Sequence, residues 1–251
     1  MKLNKREFLQ LCGFSVLATS ALPALRAWAG QIEPGPKALV GKRWAMVINP
    51  GACKDGCREC RAACDKIHNV PHIPDPRHEV KWIWTEKFEN AFPGQDYPYL
   101  EANLKDRAIP VLCNQCENPP CVRVCPTQAT FKGKDGIVLT DYHRCIGCRY
   151  CVAACPYGSR SFNWQDPRPF IKEVNQEYPT RTKGVVEKCT FCVERLAKGL
   201  VPACVEACTE KALVFGDLED PRSEVRQLLG SRYAIRRKPE LGTGPQIYYL
   251  V

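Results

Sequence analysis

Sixteen of the seventeen cysteines in this 251-residue sequence form four groups of four. The third group has the spacing Cys-x2-Cys-x2-Cys-x3-Cys-Pro, in which three thiolates bind one [4Fe-4S] cluster and the fourth binds a neighbouring cluster. Two such groups share two clusters, so four groups predict four clusters. Only Cys12 is left over. The groups are Cys53, Cys57, Cys60, Cys64; Cys113, Cys116, Cys121, Cys125; Cys145, Cys148, Cys151, Cys155; and Cys189, Cys192, Cys204, Cys208.

The residues that follow each group differ. Pro126 and Pro156 directly follow groups two and three. A proline there ends the loop and adds an apolar ring that keeps water from the cluster. Groups one and four are followed by Asp65 and Thr209, so we expect their clusters to be more exposed or differently tuned. We also expect the fourth cysteine of a group to begin a short helix that leads to the neighbouring cluster.

Two other uses of the cysteines are open. Structural zinc also binds paired Cys-x2-Cys units, but it requires two pairs rather than a run of four cysteines followed by proline. Disulfides are a possible use in an exported chain, but cysteines two or three residues apart in one loop bridge poorly. Iron–sulfur clusters therefore account for the pattern best.

The formal net charge of +9 raises the question of a nucleic-acid partner. Each oxidised cluster with its four thiolates carries roughly −2, so four clusters contribute about −8 and leave about +1. The basic balance therefore does not indicate nucleic-acid binding.

Residues 1–29 are predicted to be an export signal. Lys5 and Arg6 precede an apolar stretch at 11–25, and Ala27-Trp28-Ala29 is a small-x-small cleavage site. The segment resembles a twin-arginine (Tat) signal in which Lys5 replaces the first arginine. Tat exports folded proteins, which suits clusters that are assembled in a reducing cytoplasm. An uncleaved signal-anchor is the alternative, and no other stretch is apolar enough to cross a membrane.

Short predicted strands surround the cysteine groups. Residues 43–48 precede group one, and residues 212–217 follow group four. Residues 129–131 and 137–139 flank a Lys-Asp-Gly turn between groups two and three, which predicts a hairpin. A group, a strand pair and a second group form the layout of a two-cluster ferredoxin. The predicted fold class is α+β, with two ferredoxin-like 2[4Fe-4S] modules, one inserted in the other, with loop insertions and a C-terminal extension.

The predicted domain organisation follows from that layout. It consists of the signal at 1–29, one module made of 38–68 and 187–218 with groups one and four, the inserted module at 108–165 with groups two and three, insertions at 69–107 and 166–186, and the extension at 219–251.

The first insertion contains histidines and aromatic residues that could bind a metal or a partner. His68, His72 and His78 lie beside prolines, and we interpret them as surface or capping residues. Trp82 and Trp84 alternate as in a half-buried strand, with a docking patch as the alternative.

The C-terminal extension is predicted to contain a helix that Asp220 and Pro221 begin and Gly230 ends. Residues 246–251 predict a closing strand. The Asp-, Pro- and Arg-rich loop at 161–188 is a second candidate for a partner contact. The cations after the helix are interpreted as a solvated basic face rather than a docking site; they are Arg232, Arg236, Arg237 and Lys238.

The cysteine-bearing segments CNQCENPPCVRVCPTQATF, RCIGCRYCVAACPYGSRSF and EKCTFCVERLAKGLVPACVEAC resemble the four-cluster electron-transfer subunits of membrane-bound and periplasmic oxidoreductases. This family includes the beta subunits of polysulfide, tetrathionate and dimethyl sulfoxide reductases. The segments FNWQDPRPF, WIWTEKFENAFP and RRKPELGTGPQIYYLV resemble more narrowly the DsrO family, the periplasmic iron–sulfur subunits of the Dsr membrane complex of sulfur metabolism.

The resemblance implies one-electron relay, with no substrate and no catalytic residue. It implies four ligand sets: Cys53, Cys57, Cys60 with Cys208; Cys189, Cys192, Cys204 with Cys64; Cys113, Cys116, Cys121 with Cys155; and Cys145, Cys148, Cys151 with Cys125.

The resemblance also implies partners on the extracytoplasmic, periplasmic face of the membrane. They would be an NrfD-type integral membrane subunit that interacts with quinone, a multihaem cytochrome c and the other Dsr-type subunits. The alternative is the beta subunit of a molybdopterin oxidoreductase, such as a tetrathionate or polysulfide reductase. A third hypothesis, from a different class, is a zinc-holding binding module.

Overall fold

The computed structural model describes residues 37–54, 56–95, 98–100 and 105–251. The predicted export signal and Cys12 lie outside the described residues. The strands are β1 (Trp44–Ile48), β2 (Ile83–Lys87), β3 (Ala108–Leu112), β4 (Thr130–Lys132), β5 (Val138–Thr140), β6 (Ser161–Phe162), β7 (Val186–Glu187), β8 (Leu213–Asp217), β9 (Ala234–Ile235) and β10 (Ile247–Leu250). The α-helices are α1 (Glu59–Ile67), α2 (Phe88–Ala91), α3 (Pro120–Arg123), α4 (Tyr150–Ala153), α5 (Val193–Leu196), α6 (Ala203–Glu206) and α7 (Glu224–Ser231).

Strand β1 lies inside a four-stranded sheet with the order β8-β1-β10-β9. It pairs antiparallel with β8, where Met46 is opposite Phe215, and parallel with β10, where Met46 is opposite Ile247. All five residues of β1 are buried, the pattern of a strand that is covered on both faces. The strands predicted at 43–48, 212–217 and 246–251 are confirmed.

The two faces of β1 pack against different layers because successive side chains of a strand point to opposite faces. On one face, Met46 belongs to the main core, which also contains Cys64 and Cys204. On the other face, Val47 packs with Val225 of α7. The sheet therefore supports cysteine loops on one side and the C-terminal helix on the other.

Strands β4 and β5 form the hairpin predicted between groups two and three. In its turn, the N–H of Gly133 donates to the carbonyl of Ile137 at 2.7 Å. Gly136 has a φ of 84°, a conformation that glycine adopts without steric cost. The N–H of Val138 donates to Oε1 of Gln115 at 2.8 Å. The hairpin therefore packs directly on the loop of group two.

The aromatic residues of the first insertion lie in the core. Strand β2 pairs antiparallel with β3, with Trp84 opposite Val111. Trp82, Trp84, Phe88 and Phe92 are all buried. The strand interpretation is confirmed for Trp84. The docking-patch alternative is wrong, because these side chains fill the interior instead of forming a surface.

Arg181 forms a buried ion pair within the loop at 161–188 and also connects this loop to the end of α1. Nη2 of Arg181 lies 2.6 Å from Oε2 of Glu187, and the two side chains are 1% and 0% exposed. Arg181 also donates to the carbonyls of His68 and Asn69. Oε2 of Glu187 also accepts from Nε1 of Trp82 at 3.1 Å. One charged network thus connects three segments that are distant in sequence.

The C-terminal helix begins later than predicted. Helix α7 starts at Glu224, after Ser223, because Asp220 and Pro221 form a preceding turn in which the N–H of Ser223 donates to the carbonyl of Asp220 at 3.0 Å. Gly230 lies inside the helix rather than ending it. In the part of the chain that the structure describes, no helix combines the length and apolarity that a membrane span requires.

The cations that follow α7 are only partly solvated. Arg232 is exposed, but Arg237 is buried and its Nε donates to the carbonyl of Ala91 at 3.1 Å. Nζ of Lys238 donates to the carbonyl of Pro156 at 2.9 Å. The interpretation as a solvated basic face is therefore wrong for Arg237, whose guanidinium ties the tail to α2.

Candidate iron–sulfur sites

The loops of groups two, three and four each contain a residue in the left-handed backbone region. Gln115 has a φ of 44°, Gly147 of 69° and Phe191 of 55°. Such a residue turns the chain sharply, which brings the flanking thiols around one centre. A side chain at Gly147 would also collide with the carbonyl of Gly184, so this turn requires glycine.

Short helices separate the cysteines of one site from those of the next. The third cysteine of groups two, three and four lies on α3, α4 and α6, and the fourth cysteine follows the end of that helix. The expectation that the fourth cysteine begins a helix is therefore wrong. The helix comes before it, and its single turn carries the chain from one site to the neighbouring one.

Four thiols from groups two and three line one cavity. Pro120, Pro156 and Tyr157 close it with apolar surface, and the cysteines are Cys113, Cys116, Cys121 and Cys155. Burial raises the pKa of the Cys116 thiol to about 12, and the charges of the other three thiols oppose its ionisation further.

The other four thiols of groups two and three line a second cavity; they are Cys125, Cys145, Cys148 and Cys151. Burial opposes ionisation of Cys125, but hydrogen bonds from Thr130 and Thr127 outweigh it and lower the pKa of this thiol. The N–H of Thr130 donates to Sγ of Cys125 at 3.4 Å. Such donors stabilise thiolate charge.

Groups one and four supply an inner set of buried thiols. Burial raises the pKa of Cys64 well above its ordinary value, and the charges of Cys189, Cys192 and Cys204 raise it further. All four of these thiols are buried. The expectation that the sites next to Asp65 and Thr209 are more exposed is therefore wrong for this set, because it lies in the main core beside β1.

The remaining thiols of groups one and four form an outer set. Burial raises the pKa of Cys60 to about 11, and the charges of Cys53, Cys57 and Cys208 raise it further. All four are half-buried. The N–H of Ala212, next to β8, donates to Sγ of Cys208 at 3.2 Å.

These four sets have the chemistry that an iron–sulfur cluster requires. Thiolates are the ligands of [4Fe-4S] clusters, and none of the sixteen described cysteines forms a disulfide. Thiolate charges buried this deeply cost free energy unless cations compensate them. Iron supplies that compensation, so the residues fit the cofactor.

His68 is a buried neighbour of the inner set that caps α1: its backbone N–H donates to the carbonyl of Cys64 at 3.0 Å, so the capping interpretation is confirmed and the surface interpretation is wrong. It is 1% exposed, and its ring stacks on Trp82 with ring centres 4.6 Å apart. Nδ1 lies 3.0 Å from the carbonyl oxygen of Cys64 and 3.5 Å from its Sγ, and Nε2 lies 2.9 Å from Oε1 of Glu194. The signal was its position four residues after Cys64, which is one helical turn.

Comparisons with known proteins identify the cofactor. Residues 105–169 and 173–218 match the model of the 4Fe-4S dicluster domain. The chain is 41% identical to iron–sulfur subunit 1 of the Hdr-like menaquinol oxidoreductase of Archaeoglobus fulgidus, over 98% of this chain and 97% of that protein. The chain belongs to the 4Fe-4S dicluster family of ferredoxin-like iron–sulfur subunits.

Two further relatives also match over most of the chain. The iron–sulfur subunit is 37% identical to a subunit of the tetrathionate reductase of Salmonella typhimurium, over 100% of this chain and 89% of that protein. It is 39% identical to the iron–sulfur cluster-binding subunit of the menaquinone reductase of Nitratidesulfovibrio vulgaris, over 83% of this chain and 88% of that protein.

The iron–sulfur subunit carries four [4Fe-4S] clusters, as its sixteen grouped cysteines predict. It is an electron-transfer subunit of an oxidoreductase complex rather than the catalytic subunit, as the resemblance implied. Its short strands and helices are consistent with ferredoxin-like 4Fe-4S domains.

Proposed function

We propose that the subunit relays single electrons along a row of four clusters within a membrane-bound, quinone-interacting complex of sulfur metabolism of the Dsr type. The assignment of thiols to clusters is part of the proposal. The outer set contains Cys208 with group one, the inner set Cys64 with group four, the third set Cys155 with group two, and the fourth set Cys125 with group three. The first two sets make one ferredoxin-like module, in which the module of the other two is inserted.

The observation that carries the relay is the charge interaction between thiols of successive sets. Burial raises the pKa of Cys204 well above its ordinary value, and Cys60 of the outer set is among the charges that add to it. Burial raises the pKa of Cys189 to about 12, and Cys113 of the third set adds to it. Sets that interact by charge in this order favour a linear path from the outer set to the fourth.

The interaction between the third and fourth sets supports the same order, and so does the exposure of the thiols at the two ends of the row. Burial raises the pKa of Cys151 in the fourth set, and Cys121 of the third set contributes to the increase. Cys53 and Cys57 at one end and Cys145 and Cys148 at the other are half-buried, whereas the inner set is buried. Electrons can therefore enter and leave at the ends, and the cluster of the inner set is shielded from solvent.

The names of the relatives favour a quinone-linked complex. Two of them are subunits of a menaquinol oxidoreductase described as Hdr-like and of a menaquinone reductase. The Dsr-type assignment rests on the first of these, because the complex that the loop segments resemble includes a heterodisulfide-reductase-like component. The relative from tetrathionate reductase supports the alternative, the beta subunit of a molybdopterin oxidoreductase.

Purification of the tagged subunit from detergent-solubilised membranes of its host distinguishes the two complexes. We expect an NrfD-type membrane subunit and a multihaem cytochrome c to be recovered with it, and the preparation to exchange electrons with a menaquinol analogue. Recovery of a molybdopterin-containing subunit without c-type haem would contradict the Dsr-type assignment and support the alternative.

We further propose that the complex holds this subunit on the periplasmic face, after export by the Tat route. Lys5 and Arg6 before the apolar stretch support this, since they have the form of a Tat signal. Replacing both by glutamine should leave cluster-loaded protein in the cytoplasm, as cell fractionation would detect. Unchanged export of the double variant would reject the route, and a mature protein that begins at Met1 would reject cleavage.

A further inference from the structure

We propose that Arg160 acts as a fixed, buried positive charge between the third and fourth sets and raises the reduction potentials of the two clusters that they hold. The inference rests on the proposed assignment of thiols to these sets. It does not depend on which complex the subunit serves.

Arg160 is buried without a carboxylate partner. The residue is 5% exposed. Nη1 donates to Oγ1 of Thr130 at 3.2 Å, and Nη2 is buried with no hydrogen-bond partner among the described residues. Among the residues that the structure describes, no Asp or Glu forms an ion pair with it. A guanidinium is permanently charged, and burying it is unfavourable unless an anion lies nearby.

The anions near Arg160 are thiolates from two different sets. Arg160 lines the cavity of the third set, together with Cys121. Thr130, whose Oγ1 accepts from Nη1 of Arg160 at 3.2 Å, donates its own N–H to Sγ of Cys125 in the fourth set at 3.4 Å. Cys151 belongs to the fourth set and packs in one cluster of side chains with Cys121. The guanidinium is therefore placed at the junction of two sites.

This placement has a consequence for reduction. Reduction of a cluster by one electron adds one negative charge, while the protein around it stays fixed. A permanent cation in a low-dielectric interior stabilises the reduced form more than the oxidised form. Because Arg160 interacts with both sets, it favours electron occupancy at both clusters.

Arg149 offers a matched comparison. It lines the cavity of the fourth set, but it is exposed, and its guanidinium lies over the rings of Phe162 and Trp164, 5.6 and 4.7 Å from their centres. Solvent screens an exposed charge. Arg149→Gln therefore removes the same charge as Arg160→Gln without removing a buried one.

The test is a redox titration of the isolated, cluster-loaded protein, followed by electron paramagnetic resonance, for wild type, Arg160→Gln, Arg160→Lys and Arg149→Gln. We expect Arg160→Gln to shift the equilibrium of two clusters at least tenfold toward the oxidised form, which is 59 mV for one electron. The other two clusters should keep their potentials. Arg160→Lys should return the potentials of these two clusters most of the way to the wild-type values. Arg149→Gln should shift the equilibrium less than threefold.

Unchanged potentials in Arg160→Gln with full iron content would overturn the inference, and so would equal shifts of all four clusters. If Arg160→Gln loses iron, Arg160→Lys decides: potentials close to those of wild type support the fixed charge, and a tenfold shift despite the retained charge contradicts it. Cys148→Ser tests the assignment of thiols separately. Loss of iron from a site other than the fourth set in this variant would reject that assignment. A failure of the proposed function is therefore distinguishable from a failure of this inference.

Discussion

Replacing Cys204 by serine should cost the protein both iron and fold stability, whereas replacing Cys148 should cost mainly iron. Each variant loses one thiolate of a four-thiolate site, so the iron content should fall below the wild-type value of about sixteen atoms per chain, by up to about four. Cys204 is 6% exposed and belongs to the main core. Cys148 is half-buried in a loop at the end of the row.

The measurement combines iron and acid-labile sulfide analysis with denaturant unfolding, on protein prepared without oxygen. The midpoint of unfolding should fall clearly for Cys204→Ser and little for Cys148→Ser, because only the first change affects the packing beside β1. Full iron content in either variant would contradict the assignment of that cysteine as a ligand. Equal destabilisation by both would contradict the distinction between the inner and fourth sets.

The second large effect is expected at the buried ion pair of Arg181 and Glu187. Arg181→Met would leave the carboxylate of Glu187 buried without its cation, and removal of one partner of a buried pair destabilises a protein by ~3–5 kcal/mol. Nε1 of Trp82 still donates to Glu187 at 3.1 Å, which does not replace a charge. The free energy of unfolding of the cluster-loaded protein is the quantity to measure.

A matched control is the exposed pair of Lys198 and Glu177, whose side chains are 55% and 75% exposed with N and O 2.7 Å apart. Lys198→Gln should leave the midpoint of unfolding unchanged, because solvent screens such pairs. The double variant Arg181→Met with Glu187→Gln should recover part of the loss, because no unpaired charge remains. An Arg181→Met variant as stable as the Lys198→Gln control would contradict the role of the buried pair.

The sequence predicts the features that depend on local pattern. The spacing within each cysteine group predicts the clusters, since a tight loop with three thiolates surrounds one cofactor. Alternation and apolar runs predict β1, β8, β10 and the hairpin of β4 and β5. The start of α7 differs from prediction because Asp220 and Pro221 are equally suited to the turn that precedes the helix.

The features that the sequence does not predict depend on contacts between distant segments. His68 is buried, and its Nε2 lies 2.9 Å from Oε1 of Glu194, which is 126 positions away. Arg181 and Arg160 look like ordinary surface cations until the fold places one beside Glu187 and the other between two thiol sets. For Trp82 and Trp84 the sequence favours a half-buried strand but leaves a docking patch as the alternative, and only their burial beside the pairing of β2 with β3 excludes the patch.

The central claim is that four clusters in a row carry single electrons through the subunit. The most direct measurement is a stepwise reductive titration of the isolated protein under anaerobic conditions, followed by electron paramagnetic resonance. We expect uptake of about four electrons per chain, one for each cluster, with signals of the fully reduced state broadened by coupling between neighbouring clusters. Uptake of fewer electrons at full iron content, sharp signals that titrate independently, or stoichiometric zinc with little iron would contradict the relay.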